Sequence, residues 1–198
     1  MTRSGFPKKG LNPLTVPYDK KLTRFSGLRV SQTDLALLCQ ATEYALKELV
    51  GLGSAAQGWV PDFIRSDRIT PDEEKALQIV ALSHFHCGLA ANEMSVFLQK
   101  NGNPEFVTCH VGWHYVVKNR HTGLLFDMET WQGVTHCSQL PLARRFRLLK
   151  TIGGGLGVAP SVEYETIVKE IFRYSARRLL AIEKLLVLAP YSSGLSDK

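Results

Sequence analysis

A cysteine, a histidine and an aspartate stand in that order in the middle of this chain, at Cys87, His114 and Asp127. Their settings differ in ways that bear on chemistry. Cys87 lies in His84-Phe85-His86-Cys87-Gly88-Leu89-Ala90-Ala91-Asn92, where small and apolar residues after the sulfur suit the opening of a helix. His114 lies in Trp113-His114-Tyr115-Val116-Val117 and Asp127 ends Leu124-Leu125-Phe126-Asp127, both strand-like runs. A thiol at a helix N-terminus faces unpaired N–H groups and the positive end of the macrodipole, and both favour the nucleophilic thiolate. The same N–H groups can receive an oxyanion. A strand-borne histidine can take the thiol proton and return it to a leaving group, and an aspartate on the next strand can fix the ring's tautomer. Gly88, Trp113 and Asn92 are the candidates for substrate binding or the oxyanion site around these three.

The elements that must hold them are legible as patterns. Ser31 is a helix cap, Asp34 favours the first turn, and Leu35, Leu38, Cys39, Thr42, Leu46 and Leu49 recur at helical spacing up to Gly51. Thr70-Pro71-Asp72-Glu73 combines cap, first-position proline and capping-box glutamate for a second helix, with Leu77, Val80 and Ala81 as its apolar face. Residues 87–100 predict a third helix, broken by Asn101-Gly102-Asn103-Pro104. Three β-type runs follow, 105–111, 113–118 and 124–128, with His121-Thr122-Gly123 as the turn between the last two. A basic helix is expected after Pro141 and a long helix capped by Ser161, with a glycine-rich joint at Gly153-Gly154-Gly155 and Gly157 between them. That run lacks the Lys-Ser/Thr ending of a phosphate loop and reads as a hinge. The order of helices, strands and helices predicts the α+β class: a helix-borne cysteine packed on a small antiparallel sheet, flanked by N- and C-terminal helices.

Composition narrows the rest. The chain has 198 residues, 44% hydrophobic and 21% charged, which fits one globular domain. Residues 31–190 are expected to form that domain. Residues 1–30, with Gly5, Pro7, Gly10, Pro13 and Pro17, read as a basic arm with little structure of its own, and 191–198 as a frayed tail. Residues 54–71 read as a loop docking Trp59, Pro61, Phe63 and Ile64 on the body. The net charge of +6 is uneven: seven Lys/Arg against one Asp in 1–30, seven against twelve acidic residues in 31–140, and ten against five in 141–198. An excess confined to the ends argues against a nucleic-acid-binding body and is compatible with an acidic protein partner. Lys169, Arg173, Arg177, Arg178 and Lys184 form a basic face on the last helix, read as solvated. No run of 18 apolar residues predicts membrane insertion. No charged and then apolar leader opens the chain, so the expected location is cytoplasmic, or secreted by a route without a cleavable signal peptide. Four scattered cysteines without a C-x-x-C predict reduced thiols.

The Cys87, His114, Asp127 order resembles the transglutaminase-like cysteine enzymes, a branch of the papain-like superfamily. The resemblance covers residues 80–131, roughly a quarter of the chain. Gly88, Val116 and Met128 stand where many members carry an aromatic, a tryptophan and a proline. The resemblance implies a thiol-dependent acyl-transfer enzyme acting on a protein or peptide, without a cofactor, and by analogy a bacterial effector or toxin. It does not choose among hydrolysis, deamidation and transfer to an amine. Two other readings stay open. One is a non-catalytic protein-binding module on the same fold. The other is a zinc protein using His84, His86, Cys87, Cys109, His110 and His114, although no hydrolytic glutamate or paired-cysteine spacing accompanies them.

Overall fold

The computed structural model describes residues 30–51, 69–151 and 162–188. These form five α-helices and one four-stranded sheet: α1 (Gln32–Gly51), α2 (Pro71–Phe85), α3 (Cys87–Lys100), β1 (Phe106–Val111), β2 (His114–Asn119), β3 (Leu125–Asp127), β4 (Thr130–Val134), α4 (Pro141–Thr151) and α5 (Val162–Leu188). The sheet is an antiparallel meander in the order β1-β2-β3-β4. The α+β class expected from the sequence is therefore present.

The helices start where their caps place them. The Asp34 N–H donates to Ser31 Oγ at 3.0 Å. At Thr70 the capping box is complete: the Glu73 N–H donates to Thr70 Oγ1 at 3.2 Å, and the Thr70 N–H donates to Glu73 Oε2 at 3.1 Å. A cap of this kind stabilises a helix by about 1 kcal/mol. The apolar face of α2 is wider than Leu77, Val80 and Ala81, because Ala76, Ile79, Leu82 and Ser83 are buried as well. The cause is tertiary: α2 packs against both α3 and α5.

Sheet alternation divides the interior in two. Val117 and Phe126 are cross-strand partners and face the main core with α3 residues Met94 and Leu98. Val116 and Leu125 point the other way and meet Leu140. Side-chain bonds tie the layers together. Thr108 Oγ1 donates to the Ala91 carbonyl at 3.3 Å, joining β1 to α3. Trp131 Nε1 donates to Thr42 Oγ1 at 2.9 Å, joining β4 to α1 and placing Trp131 in the core.

Three differences from the sequence reading are informative. The strands begin or end a residue away from the expected runs, and a fourth strand, β4, follows immediately after β3. Its alternation is masked by Gly133 and by the brevity of the turn before it. Residues 1–29, 52–68, 152–161 and 189–198 lie outside the described residues, and with them the readings of the basic arm, the Trp59 loop, the glycine hinge, the Ser161 cap and the tail. Among the described residues, no helix is long and apolar enough to cross a membrane.

Gly133 needs its glycine. Its φ is +71°, and an added Cβ would lie 2.8 Å from Phe126 Cε1, inside the core. Gly102 also has positive φ, +83°, but nothing lies within 4 Å of its would-be Cβ. Gly133→Ala is expected to cost about 2–3 kcal/mol, and Gly102→Ala about 1 kcal/mol from backbone strain alone. Thermal unfolding checks the ranking: the Tm of Gly133→Ala should fall by roughly 5–10 °C and by clearly more than that of Gly102→Ala.

Candidate active site

The site is assembled at a break between two helices. α2 stops at Phe85, and His86 takes φ −131° and ψ 32°, outside helical values. The His86 N–H still closes onto the Leu82 carbonyl at 2.9 Å, while its own carbonyl accepts the first α3 bond from Ala90 at 3.0 Å. One residue thus ends one helix and opens the next, and Cys87 becomes the first residue of α3. No side chain caps this N-terminus. The Gly88 N–H lies beside the sulfur and favours its charged form.

His114 is delivered by a two-residue turn. β1 and β2 join through Gly112 and Trp113 alone, and Val111 pairs with His114 across them. Gly112 has φ +66°, as a first central residue with left-handed backbone must in a two-residue hairpin. His114 is consequently the first residue of β2, and the Tyr115 N–H beside it favours the charged form of the Cys87 thiol. Asp127 ends β3. Its Oδ2 lies 3.4 Å from His114 Nε2, long for a hydrogen bond, and its Oδ1 accepts the Glu129 N–H at 2.9 Å.

The three expected groups therefore meet. His114 is 1% exposed and Asp127 4%, whereas Cys87 is only partly covered. Nε2 is committed to Asp127, which leaves Nδ1 for the thiol. Nδ1 is buried and completes no bond of ordinary geometry, so the contact with Cys87 is looser than the one with Asp127 and draws on charge as well as direction. Burial alone would push the Cys87 thiol up. The hydrogen bond with His114, the N–H groups of Tyr115 and Gly88 and the charge on His114 outweigh it and bring the thiol below its ordinary value. Burial would likewise push His114 down, but hydrogen bonds to Asp127 and Cys87, and the negative charges of both, raise it to about 9. Each group of the pair thus favours the charged form of the other, a thiolate facing an imidazolium.

The surroundings are apolar. Among the described residues six large hydrophobic side chains are exposed, and four of them lie within two residues of Cys87 or His114 in sequence. Phe85 (41%) and Leu89 (50%) lie two residues either side of Cys87, and Trp113 (49%) and Tyr115 (42%) lie either side of His114. Trp113 stands edge-on to Phe146 with centroids 4.6 Å apart, and Tyr115 tilts against His110 at 4.6 Å. A cavity of only about 10 Å³, room for little more than one water, is lined by Cys87, His114 and Asp127 with Ala90, Met94 and Met128. It is smaller than the roughly 300–1,000 Å³ of pockets that enclose small ligands.

The remaining sequence candidates divide. Gly88 is at the site, and its would-be Cβ lies 3.4 Å from the Tyr115 ring, about van der Waals contact. Trp113 borders the site. Asn92 does not join it: at about 100° per residue it is turned roughly 140° around α3 from Cys87, is exposed, and bonds Glu93 Oε1 at 3.4 Å. Among the described residues no group of three His, Cys, Asp or Glu side chains is arranged to hold a metal ion, so the histidines and cysteines of the zinc reading are not gathered as ligands.

Sequence reasoning missed three residues behind the site. His84 packs against Phe146 with centroids 5.0 Å apart and edge-on to Phe172 at 5.1 Å. Burial, with the charges of Arg145 and His114, drives its pKa down to about 3, so it is neutral beside the His114 cation. Glu129 and Arg145 form a buried ion pair. Nothing in a basic helix marks Arg145 as the member that turns inward. Compared with protein-family models, characterised proteins and solved structures, the chain matches none.

Iodoacetamide tests the paired state. Cys87 should be alkylated at pH 6.5 about tenfold faster than Cys39, Cys109 or Cys137, and His114→Ala should remove most of that advantage. Labelling followed by peptide mass spectrometry reads both. Equal labelling of all four thiols would contradict the thiolate–imidazolium assignment.

Proposed function

We propose that this protein is a thiol-dependent acyl-transfer enzyme acting on carboxamide or peptide carbonyls of polypeptides. The observation that carries the reading is the Cys87 sulfur at a helix tip, sharing a small cavity with a histidine whose far nitrogen meets a buried aspartate.

The thiolate attacks the carbonyl carbon, forming a C–S bond as the C=O electrons move to oxygen. Backbone N–H groups at the start of α3 are the donors nearest to receive that charge. The His114 imidazolium gives its proton to the departing nitrogen, the C–N bond breaks, and a thioester remains on Cys87. Neutral His114 then takes a proton from water or an acceptor amine as its oxygen or nitrogen attacks. The C–S bond breaks, and the thiolate–imidazolium pair is restored. Asp127, at Nε2, keeps the ring oriented with Nδ1 toward the sulfur.

The substrate class follows from the rim. A partly covered sulfur beside the exposed rings of Trp113 and Tyr115, over a cavity too small to enclose a ligand, favours an extended polypeptide laid across the surface. An effector or toxin role fits a small free enzyme of this type and stands on analogy alone.

The test uses a peptide library carrying internal Gln, Asn and scissile bonds, read by mass spectrometry. Wild type should convert a subset of peptides, and Cys87→Ala should lose at least about 10³-fold in rate. Turnover should fall on the acid side as the thiolate is protonated. On the alkaline side it should fall near pH 9 as the raised His114 pKa is passed and the general acid is lost, both limbs belonging to the coupled pair. Conversion by Cys87→Ala at the wild-type rate overturns the proposal.

A further inference from the structure

We propose that Glu129 and Arg145 are a positioning pair for the active site: a buried clamp from α4 that sets the β3–β4 turn and so aims the Asp127 carboxylate at His114. The inference rests on the Cys87–His114–Asp127 reading and extends it to two residues that touch neither sulfur nor substrate.

The turn leaves the aspartate little support of its own. β3 is three residues long, and its register with β4 is irregular between Leu125 and Asp127. Only Met128 and Glu129 separate Asp127 from its partner Thr130. Within that turn the Glu129 N–H donates to Asp127 Oδ1 at 2.9 Å, while Oδ2 of the same carboxylate faces His114. The plane of the carboxylate therefore depends on where the Glu129 backbone lies. The Glu129 side chain is held in turn at both oxygens: Arg145 Nη1 donates to Oε2 at 2.6 Å, and Nη2 donates to Oε1. A two-pronged contact fixes orientation as well as distance. Both side chains are 3% exposed, and the guanidinium carbon lies 5.7 Å from the Phe172 ring centroid on α5. Helices α4 and α5 thus reach the catalytic carboxylate through one ion pair.

The charge arrangement points the same way. With Glu129 filling the guanidinium fork, the charge of Asp127 is left to His114. A buried ion pair is poor evidence for stability, because well-packed apolar residues of similar volume often serve as well. Its two-pronged geometry, bonded one step from the catalytic carboxylate, is what an apolar substitute cannot reproduce.

The experiment needs no substrate. The pH dependence of Cys87 alkylation by iodoacetamide is measured on the full chain, with near-UV circular dichroism and a melting curve for each variant. The double variant Glu129→Met/Arg145→Leu removes the clamp without stranding a charge. Arg145→Lys keeps the charge and loses the fork, so it serves if the double variant does not fold. Asp127→Ala gives the full effect, and Trp131→Phe, which breaks the Thr42 bond on the adjacent strand, gives the purely structural one. In folded clamp variants the alkylation midpoint should move toward that of an ordinary thiol, in the direction of Asp127→Ala, with the rate at pH 6.5 falling about tenfold for each pH unit of movement. Trp131→Phe should lower the Tm and leave the midpoint in place. A folded clamp variant with the wild-type midpoint overturns the clamp. A wild-type midpoint that is already ordinary overturns the triad reading instead, so the two failures are distinguishable.

Discussion

The site depends on a negative charge held out of water behind an imidazole ring. Asp127 is 4% exposed and His114 1%, so their attraction acts in a medium that screens it weakly. Burial by itself would strip the proton from His114 and keep one on Cys87. The carboxylate reverses the first tendency, and the ring it keeps charged reverses the second. Each group is thus in its reactive state because the next one is. A carboxylate displaced from His114 Nε2 would leave a neutral ring and an ordinary thiol on the same scaffold.

The rest of the described fold supplies the aim. The helix break at His86 makes Cys87 the first residue of α3 rather than an interior residue of a longer helix, which is what leaves the sulfur at a helix tip. The two-residue turn at Gly112-Trp113 makes His114 the first residue of β2, at the sheet end nearest that helix tip. The Tyr115 ring packs about 3.4 Å from where a Cβ on Gly88 would stand, which joins the two elements at the site. These three local devices are separated by short sequence distances and are held together by the α3–sheet bonds of Thr108 and Gln99. Because strands of three and five residues cannot define a carboxylate's direction alone, the carboxylate end of the site draws on the helical layer.

Much of this was legible before any coordinates. Thr70-Pro71-Asp72-Glu73 carries a complete capping box, so α2 begins where its residues say. Cys87 as the opening residue of α3 followed from the small residues after it and the Asn101-Gly102 break at the far end. The meeting of Cys87, His114 and Asp127 followed from hairpin connectivity, since consecutive short strands pair with their neighbours. Less could be read where tertiary context decides. β4 was hidden by Gly133, whose place in a strand depends on Phe126 packing over it. Asn92 was grouped with Cys87 by nearness in sequence, yet five residues along a helix is the wrong face. His84 and Arg145 carry no periodic mark of burial, because a polar residue turns inward only when a partner brought by another element receives it.

His84 shows how such a partner can be a ring and not a charge. It packs with Phe85, Phe146 and Phe172, beside a histidine that is charged at neutral pH. A second cation there would repel His114, and a carboxylate there would compete with Asp127 for it. A histidine held neutral by burial does neither. It presents a flat aromatic face that continues through Phe146 to Trp113, so the wall behind His114 is one aromatic stack ending at the exposed rim. Phe172 joins that stack on the His84 side and lies under the Arg145 guanidinium on the other. The hydrocarbon packed around the thiol–imidazole pair and the support of the carboxylate behind it therefore meet at one residue of α5.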